Sequence, residues 1–271
     1  MNRIYFYQTG GPGTIAEAVR CAIRFNNPAR VVVISDRRYT TDVEWIPVGE
    51  VNRDFATIDR IYQHRAANPP DFEKECIKRW LAILDAMKRL NDGLAFCLDS
   101  DVLLFCNPWE QRHFSHFDNL ALTTDPDCGI SSATISMQTR RSLEAFRDLV
   151  LYHYFQRELF AELGTNDMSI WTYLVRTTPN LAPVAELNRV VDGRIWDHNL
   201  ASLGGGFAPD PDRSVAMKAI WFNKGIPYAI REEKRVQMLS LHFWSNLKRF
   251  MSKFADRSEF TWNRYGCPKC Q

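Results

Sequence analysis

The first 35 residues alternate in a pattern that few folds accommodate. Arg3-Ile-Tyr-Phe-Tyr-Gln-Thr9 is a β-rich run that stops at Gly10-Gly11-Pro12-Gly13. Thr14 to Phe25 then places Ile15, Ala18, Val19, Ala22 and Ile23 at helical spacing. Arg30-Val-Val-Val-Ile-Ser35 follows, a short continuous apolar run of the kind buried on both faces of a sheet. Strand, glycine turn, helix and strand make a βαβ unit with a right-handed crossover.

The alternation continues. From Asp71 to Leu90, the residues Phe72, Cys76, Ile77, Trp80, Leu81, Leu84, Met87 and Leu90 form one apolar helical stripe. Gly93 is its expected C-terminal stop. Leu94-Ala-Phe-Cys-Leu98 is another buried strand, and β-like runs come at Asn119 to Thr123 and Ser132 to Met137. A helical stretch spans Arg140 to Leu163, a glycine loop occupies Gly204 to Gly206, and Val236 to Phe243 is β-rich. Strands alternating with helices predict an α/β domain with a largely parallel sheet, and a more mixed second half.

Composition narrows the function classes. With 271 residues, 45% of them hydrophobic, the chain has enough material for a substantial core. A net charge of +2 gives no reason to expect a nucleic-acid partner. Met1 to Thr9 is charged at once, which does not match a signal peptide, and no apolar stretch approaches the roughly 20 residues of a membrane span. The seven cysteines are odd in number and scattered, so the expectation is free thiols and a cytoplasmic location. Cys267 and Cys270 form a single CxxC, half of a zinc site, and are expected to fray with the tail.

Asp99-Ser100-Asp101 is where chemistry enters. Residues at i and i+2 of an extended segment point to the same face, so both carboxylates emerge together where an apolar strand ends. Open α/β sheets bind ligands at that edge. A carboxylate held within the sheet needs a partner, and a divalent cation is one, since Mg2+ is often bound by one or two carboxylates plus substrate phosphates. From the residues alone two readings stay open: the pair caps a turn, or it holds a metal ion.

The run Leu94-Ala-Phe-Cys-Leu-Asp-Ser-Asp-Val-Leu-Leu-Phe105, preceded by a helix carrying Arg79 and Trp80, resembles the DxD region of GT-A glycosyltransferases. Ser240-Leu-His-Phe-Trp-Ser-Asn-Leu-Lys248 is similar to the H-x-x-G-x-x-K segment of the retaining group that includes glycogenin and bacterial lipooligosaccharide galactosyltransferases. His242 and Lys248 stand at the matching spacing, while Ser245 replaces the glycine. The resemblance implies a GT-A type, Rossmann-like fold: a mixed, mainly parallel sheet flanked by helices in a single domain over 1–271. Residues 1–137 would be the nucleotide-sugar and metal half, and 138–271 the acceptor half that returns the His-Lys segment. It implies transfer of a sugar from a nucleotide diphosphate-sugar, with a UDP-sugar as expected donor, to an unidentified glycan, lipid or protein acceptor, with retention. Mn2+ or Mg2+ is the implied cofactor, with Asp99, Asp101 and His242 as its ligands. Lys248, Ser100 and the Ser245 backbone would contact the diphosphate.

Further positions follow from the same resemblance. Gly164-Thr-Asn-Asp-Met-Ser-Ile-Trp171 is similar to a segment whose acidic residue lies by donor sugar and acceptor, which implies Asp167 with Asn166 beside it. As plain sequence, Thr165, Asn166 or Asp167 is a helix N-cap, and the two roles are compatible. In the family the loop after the first strand touches base and ribose, implying Thr9, Gly10 and Gly11. Asp36 joins them at the end of the second strand, although a turn at Ser35-Asp36 accounts for it as well. The Gly10 to Gly13 run is neither a Walker A loop nor a dinucleotide fingerprint. Arg79 either reaches the diphosphate or is an exposed helical arginine. Trp196-Asp-His-Asn199 either lines an acceptor site or packs as a loop. Leu247-Lys-Arg-Phe-Met-Ser-Lys-Phe254 either makes a weak peripheral membrane contact or packs Phe250 and Phe254 onto the domain.

Three other readings compete. A haloacid-dehalogenase-type phosphohydrolase also has a D-x-D after a buried strand, but near the start of its domain. A sugar nucleotidyltransferase wants a basic glycine loop after the first strand, and no Lys or Arg falls between Gly10 and Arg20. A catalytically inactive sugar-nucleotide binder would not need Asp99, Asp101, His242 and Lys248 together.

Overall fold

The computed structural model describes residues 1–11, 13–115, 117–125, 129–155, 166–178, 181, 185–210 and 216–256. The expected βαβ unit is β1 (Arg3–Gln8), α1 (Ile15–Phe25) and β2 (Val31–Ser35), with Ile4 paired to Val31 in parallel. β3 (Glu44–Pro47) adds outside β2. The chain returns through α2 (Phe55–Ile61) and α3 (Pro70–Arg89) to β4 (Leu94–Leu98), which pairs with the opposite edge of β1. β5 (Val102–Leu104) leaves this sheet, which is completed by β6 (Leu120–Thr124), β7 (Ser131–Thr139) and β8 (Ala185–Glu186). The order is β3-β2-β1-β4-β7-β6-β8. The β4–β7 and β6–β7 pairs are antiparallel and the others parallel. The architecture is thus the mixed, mainly parallel α/β arrangement anticipated.

Two positional consequences matter for function. Connections run one way from β1 to β3 and the other way to β4, so β1 and β4 flank a switch in winding direction. A crevice opens at such a switch, beyond the carboxyl ends of the strands. The loop after Gln8 and the Asp99–Asp101 corner both lie there.

Alternate strand residues feed two cores. Ile4, Phe6, Val31, Val33, Phe96 and Leu98 pack on the side of α1. Tyr5, Tyr7, Val32, Ile34, Ala95 and Cys97 pack on the side of α3, α4 (Arg140–Phe155) and α5 (Asp167–Thr177). Burial on both faces is why these strands read as unbroken apolar runs. Trp80 of α3 meets Trp171 of α5 edge-on at 5.3 Å, and Phe146 of α4 stacks on Trp171 at 4.5 Å. Such pairs contribute about 0.5–1.5 kcal/mol each beyond their buried area. They also fix the start of α5 against α3.

Several boundaries differ from the sequence expectation. Asn91, not Gly93, ends α3: it takes φ 52°, and Asp92 N–H reaches back to the Met87 carbonyl at 2.8 Å. That is the left-handed helix-end motif, with asparagine in the place glycine usually takes. The β-rich run at Val236 to Phe243 is two strands. β9 (Arg194–Ile195), β10 (Trp221–Asn223), β11 (Ile226–Arg231) and β12 (Lys234–Met238) form one sheet, while β13 (Ser240–His242) pairs with β5. Leu239 is the crossing point, donating to the Ile195 carbonyl and accepting from Phe105 N–H. The helix from Arg140 is described to Phe155, and its expected extension toward Leu163 lies outside the described residues. So do Pro12, Gly164, Thr165, Cys267 and Cys270.

Cys21, Cys76, Cys97 and Cys106 are free thiols. Burial pushes Cys21 and Cys97 up to about 12. Among the described residues no helix is long and apolar enough to cross a membrane. The packing expected of Phe250 and Phe254 is seen, Phe254 within the core and Phe250 partly buried against it. Leu247, Met251 and Phe254 are buried, the latter two on α6 (Met251–Ala255), and Lys248, Arg249 and Lys253 are among the exposed positions.

Candidate active site

The corner after β4 is held by the backbone. Asp99 N–H donates to the Thr134 carbonyl at 3.0 Å, and Val102 N–H donates to the Asp99 carbonyl at 3.1 Å. This tight turn brings both aspartates to the sheet edge. The Thr14 hydroxyl, just before α1, donates to the Ser100 carbonyl at 2.8 Å.

His242 arrives from the far end of the chain. In the β13–β5 ladder His242 stands opposite Val102, and Phe243 N–H donates to the Asp101 carbonyl at 2.9 Å. One donor atom each from Asp99, Asp101 and His242 therefore lies within 4.8 Å of the others. The His242 ring is oriented: Nδ1 lies 2.6 Å from the His198 carbonyl, which can only accept. Nδ1 thus carries a proton, and Nε2 faces Asp101 Oδ1 at 3.5 Å. Two carboxylates and one imidazole are a donor set able to hold a divalent cation.

Arg79 is not an exposed helical arginine. Its guanidinium is largely buried and joins Asp99 to Asp167, the latter at 2.7 Å. Trp80 Nε1 donates to the same Asp167 oxygen at 3.0 Å, and the Arg79 guanidinium lies 4.5 Å from the Trp80 ring centre. Asn166 and Asp167 differ in placement. Asn166 is the N-cap, accepting from Ser169 N–H at 2.8 Å, and frees Asp167 to turn inward, 5% exposed.

Lys248 is likewise engaged, with Nζ 2.8 Å from Asp101 Oδ2 and about half of its side chain exposed. Ser245, between His242 and Lys248, is exposed at φ 54°. The serine therefore keeps the left-handed backbone that the glycine of the resembling segment permits. In the first loop, Gly10 N–H donates to Asp36 Oδ2 at 3.2 Å, so these two sequence candidates are joined. Thr9 and Tyr7 hydroxyls both donate to Glu75 Oε2, at 2.9 and 2.8 Å. Gly11 is exposed, its carbonyl accepting from the Tyr39 hydroxyl.

The electrostatics favour positive charge at the centre of the cluster. Burial pushes the Asp99 carboxyl up to about 6, opposed by Arg79 and reinforced by Asp101. Burial would also raise Asp101, but His242 and Lys248 together hold it well below the usual carboxylate range. Burial would lower His242, yet Asp101 and Asp99 outweigh it and raise the imidazole to about 9. Lys248 is raised too, Asp101 outweighing its burial. A proton on His242 Nε2 and a divalent cation would compete for the same field.

Part of this site had no sequence signal. Lys218, 2% exposed, and Asp197, 1% exposed, form a buried ion pair behind His242. Nothing in spacing marks Lys218. The Trp196–Asn199 run separates into two halves. Trp196 is core, 5.1 Å from the Phe96 ring, whereas Asp197 and His198 support His242.

No family model matches this sequence, and no curated protein does. Among solved structures, the chain is similar to mouse xyloside xylosyltransferase 1 in its apo form, at 12% identity and a TM-score of 0.48 over 69% of this chain and 86% of that one. It is similar to GlyE of Streptococcus pneumoniae TIGR4, at 12% identity and 0.48 over 94% of this chain and 61% of that one. An active-site mutant of LgtC, a lipooligosaccharide galactosyltransferase, is matched at 10% identity and 0.49 over 96% and 97%. All three are glycosyltransferases. With identities of 10–12% and TM-scores below 0.5, these likenesses assign this chain no activity and no residue a role.

Proposed function

We propose that this chain transfers a sugar from a nucleoside diphosphate-sugar, a UDP-sugar first among the candidates, to a hydroxyl of a glycan, lipid or protein acceptor. The observation that carries this reading is the convergence of Asp99, Asp101 and His242 within 4.8 Å, with Lys248 beside them, at the winding switch of an α/β sheet. Asp99, Asp101 and His242 would hold Mn2+ or Mg2+. When bound, the cation supplies Lewis-acid neutralisation of the charge that builds on the departing diphosphate.

The chain's own residues divide the remaining work. Lys248 keeps an ammonium group at the same place, preorganised by Asp101. Ser100 and the Ser245 backbone N–H border the diphosphate. Thr9, Gly10, Gly11 and Asp36 form the rim for base and ribose. Arg79 holds Asp99 and Asp167 at a fixed separation, so that Asp167 orients the donor sugar while Asn166 caps its helix. Residues 1–137 form the donor half and 138–271 the acceptor half. Resemblance to the retaining group supports retention at the anomeric carbon. The buried cysteine thiols are consistent with a reducing, cytoplasmic setting.

The reading is tested by incubating wild type and Asp101→Asn with a panel of UDP-sugars and Mn2+, and measuring released UDP. Wild type is expected to release UDP from one sugar and the variant none. Hydrolysis of an aryl phosphate in place of UDP release would favour the phosphohydrolase instead.

A further inference from the structure

His242 is supported by polar groups that sequence motifs do not account for. Asp197 Oδ2 accepts from His242 N–H at 2.9 Å, and Asp197 Oδ1 lies 2.5 Å from Lys218 Nζ. Lys218 Nζ also donates to the Asn199 carbonyl at 2.6 Å. Asp197 N–H donates to the Ser240 hydroxyl at 3.0 Å, and Leu200 N–H donates to the His242 carbonyl at 2.9 Å. Lys218 N–H in turn donates to the Leu200 carbonyl. The turn 197–200 is therefore tied to β13 at both ends and clamped across its middle by one ammonium group. The acceptor for His242 Nδ1–H, the His198 carbonyl, sits inside the clamped turn.

Burying two opposite charges is costly, and well-packed apolar residues often serve a core as well or better. Stability alone thus gives a weak reason for Lys218 and Asp197. Their contacts give a better one. They fix both the main chain of His242 and the carbonyl that decides which ring nitrogen is protonated. We propose that Lys218 and Asp197 are a positioning pair that keeps His242 Nε2 presented as a nitrogen donor to the divalent cation. The inference rests on the cation site proposed above and adds to it two residues that touch neither metal nor substrate.

The general expectation for groups that orient a metal-binding histidine is a loss of 10- to 100-fold in metal affinity on removal. The full chain is titrated with Mn2+ alone, free ion being counted by electron paramagnetic resonance, and nitrogen modulation is recorded by electron spin echo on the bound ion. Wild type is expected to bind one Mn2+ with modulation from an imidazole nitrogen. Lys218→Met is expected to bind about tenfold more weakly or worse, with that modulation reduced, because Asp99 and Asp101 remain while the ring is released. Since Lys218→Met leaves Asp197 buried and unpaired, Asp197→Asn/Lys218→Met is measured in parallel. It removes both charges and is expected to show the same two losses with native near-ultraviolet circular dichroism. A natively folded double variant with Mn2+ affinity within twofold of wild type and unchanged nitrogen modulation would overturn the positioning role alone. Absence of Mn2+ binding by wild type would overturn the cation site, and the inference with it.

Discussion

Asp99 and Asp101 reach the site from the end of a strand buried on both faces, and a single backbone turn sets them side by side. His242 reaches it from a three-residue strand that, among the described residues, pairs with β5 alone, and its ring is set by a loop clamped from Lys218. The carboxylate half is thus rigid through continuous main chain and a core on either side. The histidine half is rigid through buried polar contacts between segments far apart in sequence. Main-chain rigidity tolerates side-chain change, whereas a polar scaffold fails when one partner is removed. The same substitution should therefore cost different things in the two halves.

The largest effect is expected on the carboxylate side, and on function rather than folding. Asp101→Asn should reduce transfer to background while circular dichroism and gel-filtration behaviour stay those of wild type, since the turn is made by backbone. On the histidine side Lys218→Met should shift stability as well. Removing one member of a buried ion pair costs about 3–5 kcal/mol, which chemical denaturation would register. A Lys218→Met chain as stable as wild type would erase the contrast between the halves. Arg79→Ala should fall between these: it releases Asp99 and Asp167 together, so both activity and stability decline, and double-mutant cycles with Asp167→Asn should show coupling of about 0.5–3 kcal/mol.

Smaller effects sharpen the comparison. Metal-free protein should lose stability as pH rises from about 6.5 through about 9. His242 is raised to about 9 in the folded chain, so the folded state holds the extra proton in that window. Its contribution is fully present below the unfolded value near 6.5 and gone above the folded one. Thermal midpoints measured across this range should fall, and saturating Mn2+ should flatten the decline by replacing the proton. The smallest effect is at Ser245. Ser245→Gly relieves a left-handed serine and should raise stability by about 1 kcal/mol.

How much of this was legible depends on whether a feature is written locally. The βαβ unit, the α3 stripe and β4 follow from period and burial, and each is found within a residue or two of its expected place. The Asp99–Asp101 pair was legible because carboxylates at i and i+2, directly after an apolar strand, set two charges together at the sheet edge where ligands bind. The His-Lys segment was legible through resemblance, not through spacing that physics dictates. The split at Leu239 was hidden, since β12 and β13 form one β-rich run that changes sheets without a glycine or proline to mark it. Asn91 was masked by Gly93, two residues later, which offers the commoner stop. Lys218 was invisible, as its partner Asp197 is 21 residues away and one buried lysine leaves no pattern.

The most direct test of the central claim is thermal unfolding of wild type and Asp101→Asn with UDP, Mn2+ or both. A ligand at about a hundredfold excess over its Kd stabilises the native state by about 2.7 kcal/mol. Wild type should show a rise in midpoint that requires UDP and Mn2+ together, and Asp101→Asn should show none. A rise with UDP that is independent of Mn2+, or one that survives in Asp101→Asn, would contradict a nucleotide site built on Asp99, Asp101 and His242.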